Sequence, residues 1–331
     1  MLIRFGIIGT NFVTDWVIEA MREHSKVFIA AVYSRTQERA EFFAAKYNIP
    51  HRFTSLEEMA SSDLIDAVYI ASPNSFHAAQ SILFLKHGKH VLCEKPLASN
   101  SREVKEMIAA AKCNGVVLME ALKTTLTPNF RAVLENFHRI GKPRHYSSTY
   151  CQYSSRYDKL KEGIVLNAFN PEFSNGSAMD VGIYTIYPMV VLFGRPKLIK
   201  AAGLKLHTGV DGSGSVVFSY DDLEATVFYS KISDSTLPTE ILGEDGSIIL
   251  DRINIISKVL FNSRLKKSEE DITKLRDHHE YYYQIEEFVS LIENNESESK
   301  INSLDNSLAV IEIIEEIRRQ IGIVYPADRI E

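Results

Sequence analysis

The sequence has little cysteine, a single tryptophan and no long apolar run among its 331 residues. Its three cysteines, Cys93, Cys113 and Cys151, are odd in number and lack C-x-x-C spacing, which excludes a disulfide framework and a zinc knuckle. We expect reduced, mostly buried thiols. No apolar run approaches the roughly 20 residues that a membrane helix requires, so the sequence predicts no membrane partner.

The sequence also lacks an excess of positive charge. Lys and Arg number 37 against 43 Asp and Glu, for a formal net charge of −6, which gives no general attraction to nucleic acid or anionic membranes. A 45% hydrophobic and 24% charged composition is ordinary for globular proteins, and the length allows about two domains. Met1 leads directly into a strand-like run without a signal-peptide pattern, which predicts a cytoplasmic protein.

The first ~120 residues read as strands that alternate with amphipathic helices. Continuous apolar strands in such an alternation indicate a parallel sheet covered on both faces, an α/β doubly wound (Rossmann) domain. The predicted strands are Ile3–Ile8, Val27–Val32, a short piece near Arg52–Phe53, Ala67–Ala71, His90–Cys93 and Val116–Met119. The first predicted helix begins near Phe12, and the others span Thr36–Tyr47, Leu56–Met59, Ala78–Leu85 and Val104–Ala111.

The pattern changes near residue 121. After a helix near Asn129–Phe137, strand-like runs such as Ser215–Tyr220 and Glu224–Lys231 are joined by tight turns, one of which contains Asp245-Gly246. Two long helices follow, at about 282–293 and 305–321. We therefore predict a dinucleotide-binding domain over residues 1–121 and, over 122–331, an α+β domain with a mostly antiparallel, open-faced sheet.

A candidate nucleotide site lies where the first strand meets its helix. Gly9-Thr10-Asn11-Phe12 stands where backbone amides and the helix dipole can hold a pyrophosphate. The G-x-G-x-x-G pattern is poorly kept, because Asn11 fills the second glycine position; asparagine tolerates positive φ better than other non-glycine residues. The alternative is an ordinary tight turn.

The end of the second strand bears on the cofactor. An NAD enzyme usually has Asp or Glu there for the ribose 2′-hydroxyl, whereas a nearby Arg suits the 2′-phosphate of NADP. Here the chain reads Tyr33-Ser34-Arg35-Thr36, with Arg39 one turn later. Guanidinium and hydroxyl groups fit a phosphate, so NADP is predicted, with NAD possible. The alternative is a solvated helix start.

Several motifs occur in order along nearly the whole chain. They are Gly6-Ile7-Ile8-Gly9-Thr10, Ser34-Arg35, Pro73-Asn74-x-x-His77, Glu94-Lys95-Pro96, Met119-Glu120-Ala121 and Gly176-x-x-x-Asp180-x-Gly182-x-Tyr184. This set resembles the glucose–fructose oxidoreductase, inositol dehydrogenase and MocA (Gfo/Idh/MocA) family. Because the last motif ends in a tyrosine, the chain resembles the subgroup that contains dimeric dihydrodiol dehydrogenases and some NADP-dependent aldose dehydrogenases.

The resemblance implies that Lys95 is the central catalytic residue. Its place after a buried strand, at the carboxyl edge of the sheet, suits an ammonium that stabilises negative charge on a substrate oxygen. An exposed loop lysine is the alternative. The resemblance also implies that the cofactor is bound by Ser72, Pro73, Asn74, His77, Glu94 and Lys95. A structural role is the alternative for His77.

Asp180 and Tyr184 complete the candidate catalytic set. A spacing of four places both side chains on one face of a helix. Tyr184 can act as general acid or base, and Asp180 can orient Lys95 or the substrate hydroxyl. The alternative is that Ser177 and Asp180 form a capping box at the helix start.

The resemblance implies an oxidoreductase that transfers a hydride between NADP and a carbinol or carbonyl of a sugar, polyol or related cyclic alcohol. Relatives similar to dihydrodiol dehydrogenases usually have Trp-Thr-Arg-Phe where this chain has Lys123-Thr124-Thr125-Leu126. Lys123 suggests a more polar or anionic substrate, such as a sugar acid or sugar phosphate. Two alternatives are a non-catalytic NAD(P)-binding sensor and an NAD-dependent glycosidase of lyase type.

Assembly and metal content complete these expectations. The apolar second face of an open sheet predicts a homodimer or a dimer of dimers, as is common in the family. The pair His278-His279 lacks carboxylate or thiol partners at metal-ligand spacing, so no metal site is predicted.

Overall fold

A computed structural model of the protein describes residues 2–329. The described chain forms two compact units. The first runs up to Lys123 and includes Asp277–Leu308; the second contains Thr124–Arg276 and the chain from Ala309 onward. The division into domains 1–121 and 122–331 stays a prediction beside these units.

The elements alternate regularly in the first part of the chain. The strands are β1 (Ile3–Ile8), β2 (Val27–Tyr33), β3 (His51–Phe53), β4 (Ala67–Ile70), β5 (His90–Glu94), β6 (Leu118–Ala121), β7 (Pro143–Cys151), β8 (Leu198–Lys205), β9 (Asp211–Ser219), β10 (Glu224–Ser230), β11 (Thr239–Gly243), β12 (Gly246–Leu250), β13 (Val259–Ser263) and β14 (Ser268–Asp271). The α-helices are α1 (Phe12–Glu23), α2 (Gln37–Tyr47), α3 (Leu56–Ser61), α4 (His77–Lys86), α5 (Ser101–Asn114), α6 (Pro128–Asn136), α7 (Ser155–Lys161), α8 (Ile183–Phe193), α9 (Tyr282–Glu293) and α10 (Leu304–Ile321).

The sheet of the first unit has six parallel strands in the order β3-β2-β1-β4-β5-β6. Every residue of β4 is buried, as expected for a strand covered on both faces. Strand order reverses between β1 and β4, and open α/β sheets bind ligands at such a switch point. The predicted doubly wound parallel sheet is confirmed.

The sheet of the second unit has eight strands in the order β14-β13-β12-β11-β7-β10-β9-β8. Its pairs are antiparallel except β7 with β10. The predicted mostly antiparallel sheet is confirmed. Glu244 and Asp245 form the turn that connects β11 to β12. Helix α8 covers one face, where the Tyr146 hydroxyl of β7 donates to the Thr185 carbonyl over 2.9 Å.

The opposite face of this sheet carries exposed apolar side chains. Val217 on β9 is 44% exposed and Phe228 on β10 is 37% exposed. Alternate residues of these strands are buried, which is the two-faced pattern of an antiparallel sheet.

A stretch around α8 is long and apolar enough to cross a membrane by length and composition alone. It runs from Pro171 to Phe193, and 72% of its apolar window is buried inside the protein. Burial of this kind is typical of a core helix, so the stretch is accounted for by packing within the second unit.

Candidate active site

Gly9 and Asn11 form the turn at the switch point of the first sheet. Gly9 has φ of +109°, and a Cβ atom there would lie 2.5 Å from the Ala71 carbonyl oxygen, so the turn requires glycine. Asn11 donates from Nδ2 to the Ala71 carbonyl over 2.8 Å, which ties the ends of β1 and β4 together.

The sequence-based reason given for Asn11 is wrong. Its φ is −100°, in the extended region, so positive φ is not what the position demands. Asn11 is instead the N-cap of α1, where its Oδ1 accepts hydrogen bonds from the amides of Val13 and Thr14. The glycine that forces the turn and the helix start that follows it fit a dinucleotide pyrophosphate.

The end of β2 presents basic and hydroxyl groups. Arg39 donates to the Thr10 hydroxyl over 3.1 Å and to the Thr10 carbonyl over 2.7 Å, so its exposed guanidinium lies beside the nucleotide turn. Arg35 is exposed. The Ser34 amide donates a hydrogen bond to the Phe53 carbonyl. Positions 33–36 contain no carboxylate, so this edge fits a 2′-phosphate.

Aromatic side chains extend the surface of the first unit beside this turn. Phe12, at the first position of α1, lies edge-on to Trp16 with ring centroids 5.2 Å apart, and both rings are about half exposed. Trp16 in turn lies 6.1 Å from the Tyr281 ring. The only tryptophan of the sequence is thus a built-in reporter close to the candidate nucleotide site.

His77 lies inside the protein and connects two loops. It is 1% exposed, and its Nδ1 and Nε2 lie 2.9 Å from the Pro96 carbonyl and 2.8 Å from the Ser72 carbonyl. Burial lowers its pKa, so the neutral ring donates to one carbonyl at a time. Its predicted cofactor role stays a prediction, and these contacts give it the means to position the Ser72-Pro73-Asn74 loop.

Lys95 is the one side chain that reaches the surface at the end of β5. Within residues 91–100 every other residue is buried. Glu94 is turned inward, where its Oε1 accepts the Tyr69 hydroxyl hydrogen over 2.6 Å and burial raises its pKa. The Glu94 carboxyl group therefore anchors the strand end from which Lys95 projects.

Glu120 is a buried acid at the neighbouring strand end that the sequence analysis did not assign a role. It is 2% exposed and accepts the Leu97 amide hydrogen over 2.9 Å. Burial raises its pKa to about 7. Glu120 therefore fixes the loop that follows Lys95 and is poised to be protonated near neutrality.

Lys123 does not present a free positive charge. It is 5% exposed, its Nζ forms an ion pair with Glu280, and it lies 5.0 Å from the centre of the Tyr281 ring. Burial lowers its pKa, and Glu280 opposes that effect. Because Glu280 compensates the charge, the expectation that Lys123 attracts an anionic substrate loses its physical basis.

Asp180 and Tyr184 share the open side of their helix in the second unit. Within residues 178–190 they are the only two residues that are not buried. Asp180 lies in a π-helical turn, Ala178–Gly182, and Tyr184 lies at the start of α8. Such turns occur frequently at functional sites. The Tyr184 ring meets Tyr150 edge-on, with ring centroids 5.5 Å apart.

The capping-box alternative for Ser177 and Asp180 is wrong. The Ser177 side chain makes no capping hydrogen bond. The buried Asp211 carboxylate takes that place and accepts the amide hydrogens of Ser177 and Ala178 over 2.9 and 2.7 Å. Asp180 is therefore not needed for capping.

Asp180 has an ion-pair partner that the sequence did not reveal. Lys231 Nζ lies 2.7 Å from Asp180 Oδ2. Lys231 is the last residue of the predicted strand-like run Glu224–Lys231, but sequence spacing could not show that its side chain turns inward.

The structure thus brings the predicted residues together in two groups. The first unit gathers the nucleotide turn, the end of β2, the 72–77 loop and Lys95 along the carboxyl edge of one sheet. The second unit gathers Asp180 and Tyr184 on one helix face. Across residues 2–329, no group of three or more His, Cys, Asp or Glu residues is arranged to hold a metal ion.

Comparison with known proteins agrees with this architecture. A family model described as an oxidoreductase family with an NAD-binding Rossmann fold matches residues 3–122, and the GFO/IDH/MocA C-terminal domain matches residues 132–249. A solved aldose-aldose oxidoreductase from Caulobacter crescentus has the same fold, with a TM-score of 0.85 at 20% identity over 97% of both chains.

Two sequence relatives extend over nearly the full chain. The scyllo-inositol 2-dehydrogenase (NADP(+)) IolU of Bacillus subtilis is 54% identical over 99% of this chain and 100% of its own. The trans-1,2-dihydrobenzene-1,2-diol dehydrogenase of Oryctolagus cuniculus is 30% identical over 98% of both. With both domain models matched in chain order and relatives of this coverage, the protein belongs to the Gfo/Idh/MocA family of oxidoreductases.

Proposed function

We propose that this protein is an NADP-dependent dehydrogenase that oxidises a carbinol of a neutral cyclic polyol of the inositol type, reversibly. The observation that carries the proposal is the 54% identity, over 99% of the chain, with a scyllo-inositol 2-dehydrogenase that uses NADP. The residues of the site support it in three ways: the cofactor edge, the catalytic groups and the ion pair between Lys123 and Glu280.

The cofactor edge supports NADP. Arg39 lies against Thr10 at the nucleotide turn, Arg35 is exposed nearby, and positions 33–36 carry no acid to favour a free 2′-hydroxyl. Bound NADP supplies the hydride acceptor at its nicotinamide ring. The chain contributes the groups that hold the dinucleotide and manage the substrate proton.

The catalytic groups support oxidation of an alcohol. We assign Lys95 to the substrate oxygen, where its ammonium stabilises negative charge as the hydride leaves. We assign Tyr184 to the hydroxyl proton as general base, or as general acid in the reverse direction. We assign Asp180 to the orientation of the substrate hydroxyl. All three are partly exposed within otherwise buried runs of sequence.

The ion pair between Lys123 and Glu280 supports a neutral substrate. A buried lysine already paired with a carboxylate offers no unpaired charge to a phosphate or a sugar acid, and breaking such a pair is costly. Hydroxyl groups need only hydrogen bonds, so a polyol fits this environment better than an anion.

The first test is NADP⁺ reduction by the purified protein, followed by absorbance, over a panel of inositols, aldoses, dihydrodiols, sugar acids and sugar phosphates, with NAD⁺ in parallel. We expect turnover with NADP⁺ and an inositol, at least ~10-fold above any anionic compound, a difference of about 1.4 kcal/mol. A sugar phosphate as the best substrate would overturn the neutral-polyol proposal. Tightly retained NAD with no net turnover on any alcohol would favour the glycosidase alternative.

Lys95→Met tests the central role assigned to Lys95. We expect kcat to fall by about 10²–10⁴-fold, because the variant loses the group that stabilises the substrate oxygen. NADPH binding, measured by energy transfer from Trp16, should remain. Lys86→Met, at the exposed end of α4, is the matched control and should keep normal turnover. Full activity of Lys95→Met would contradict the mechanism.

Two further assignments belong to the same proposal. We infer that the open sheet face around Val217 and Phe228 pairs with a second copy of the chain, because it carries exposed apolar side chains opposite the face covered by α8. A cytoplasmic location stays a prediction from the sequence.

A further inference from the structure

Lys231 is a buried cation that the proposed mechanism does not use. It follows β10 directly, and its residue surface is only 2% exposed. Its Nζ lies 2.7 Å from Asp180 Oδ2, donates to the Ala168 carbonyl over 3.0 Å and lies 5.1 Å from the centre of the Phe169 ring. These three neighbours fix the ammonium group in place.

Two carboxylates lie within reach of this charge, and they differ in surroundings. Asp211 is fully buried and already accepts the amide hydrogens of Ser177 and Ala178. The Asp180 side chain keeps 36% of its surface exposed while Lys231 holds one of its oxygens. Lys231 therefore reaches from the interior to a carboxylate that a substrate can still approach.

The backbone around Asp180 explains why such an anchor is useful. Asp180 lies in a π-helical turn, where the Ile183 amide donates to the Ala178 carbonyl five residues back and the regular α-helical pattern is interrupted. Asp211 fixes the start of this turn, and Gly182 packs against the Tyr229 ring at its end. These two contacts hold the backbone of the turn, and the ion pair with Lys231 holds the Asp180 side chain.

Burying a lysine is expensive unless the charge is paired, and a buried pair adds little net stability compared with apolar packing. A role in positioning a functional carboxylate accounts for this cost. We propose that Lys231 is a positioning residue that holds the Asp180 carboxylate in one orientation on the open helix face that it shares with Tyr184. The inference rests on the proposed function, since it gives Asp180 a part in turnover.

The test is a double-mutant cycle on the full-length protein with Lys231→Met, Asp180→Asn and the double variant. We expect Lys231→Met to lower kcat by about 10- to 100-fold, the cost of a catalytic group displaced by roughly 1 Å. The KM for NADP⁺ should stay within about twofold, since Lys231 has no part in the nucleotide site. In the Asp180→Asn background, Lys231→Met should have almost no further effect on kcat, because it acts through Asp180.

Lys231→Arg and Lys89→Met are the companion variants. Arginine keeps the charge and should recover much of the lost kcat. Lys89 Nζ also donates hydrogen bonds to backbone carbonyls, those of Ser62 and Ile65. Lys89→Met therefore controls for the general effect of removing such a lysine, and it should keep normal turnover. Folding of every variant is checked by circular dichroism and by Trp16 energy transfer to NADPH.

The outcomes separate the two proposals. Normal kcat in Lys231→Met, or a full additional loss in the Asp180→Asn background, would overturn the positioning role. If Lys231→Met does not fold, Lys231→Gln takes its place in the same double-mutant cycle, with Lys231→Arg as the charge-retaining variant. If Asp180→Asn itself keeps full activity, the catalytic part given to Asp180 in the proposed function fails instead.

Discussion

At the scale of single residues, the two arginines at the end of β2 make different contacts. Arg39 is bound to the hydroxyl and the carbonyl of Thr10, whereas Arg35 is exposed. Arg39 can thus shape the nucleotide turn as well as meet a phosphate, and Arg35 can do only the second. This difference allows the two roles to be measured separately.

We expect Arg35→Ala to raise the KM for NADP⁺ by about 10-fold while the KM for NAD⁺ changes little, because only NADP carries the 2′-phosphate. Arg39→Ala should weaken both cofactors, and NADP⁺ more strongly. The measurement is the ratio of kcat/KM for the two cofactors. Arg102→Ala, on the exposed start of α5, is the control. An unchanged ratio in both variants would show that neither arginine reads the phosphate.

At the scale of elements, a buried acid near the end of β6 is hydrogen-bonded to the loop that follows β5. Glu120, on β6, accepts the Leu97 amide hydrogen in the loop that follows Lys95, and burial raises its pKa to about 7. A carboxyl group whose pKa is higher in the folded state than the ordinary 4.5 stabilises the fold while protonated. That contribution is complete below about pH 4.5 and is lost as the pH rises through about 7.

Glu120→Gln should remove this dependence. The free energy of unfolding of the native protein should fall relative to the variant by up to about 3 kcal/mol between pH 4.5 and pH 8, because glutamine cannot ionise but keeps the acceptor oxygen. Urea unfolding at several pH values measures the difference. Glu57→Gln, on the exposed face of α3, should run parallel to the native protein. Parallel curves for Glu120→Gln as well would show that Glu120 titrates normally.

At the scale of the whole molecule, the open sheet face of the second unit is the surface proposed to pair two chains. Phe228→Arg should shift the protein to a smaller species in sedimentation, because a buried, unpaired guanidinium is strongly unfavourable in an apolar interface. Leu275→Arg is the control, since Leu275 is 94% exposed and lies outside the sheet. A native protein that sediments as a monomer would refute the pairing.

The sequence was sufficient for the first fold unit because its signals are local. Continuous apolar strands, helices of regular period and the Gly9 turn are set by neighbouring residues, so the predicted strands and helices of this part agree closely with those observed. The motif around Asp180 and Tyr184 likewise predicted one helix face, since spacing along a helix determines direction. The strands β7, β8, β13 and β14 were not singled out. For β8 and β14 the reason is that few or none of their residues are buried, so they carry no alternating apolar pattern.

Only the tertiary structure decided which charges meet. Asp211 and not Ser177 caps the turn before α8, Glu280 compensates Lys123, and Lys231 holds Asp180. These partners lie between 34 and 157 positions apart in the sequence. By itself the sequence predicted the fold class, which the structure confirms, while the cofactor edge and the candidate catalytic set stay predictions. Their electrostatic surroundings came from the fold, because the strength of a charge depends on burial and on partners that local patterns cannot identify.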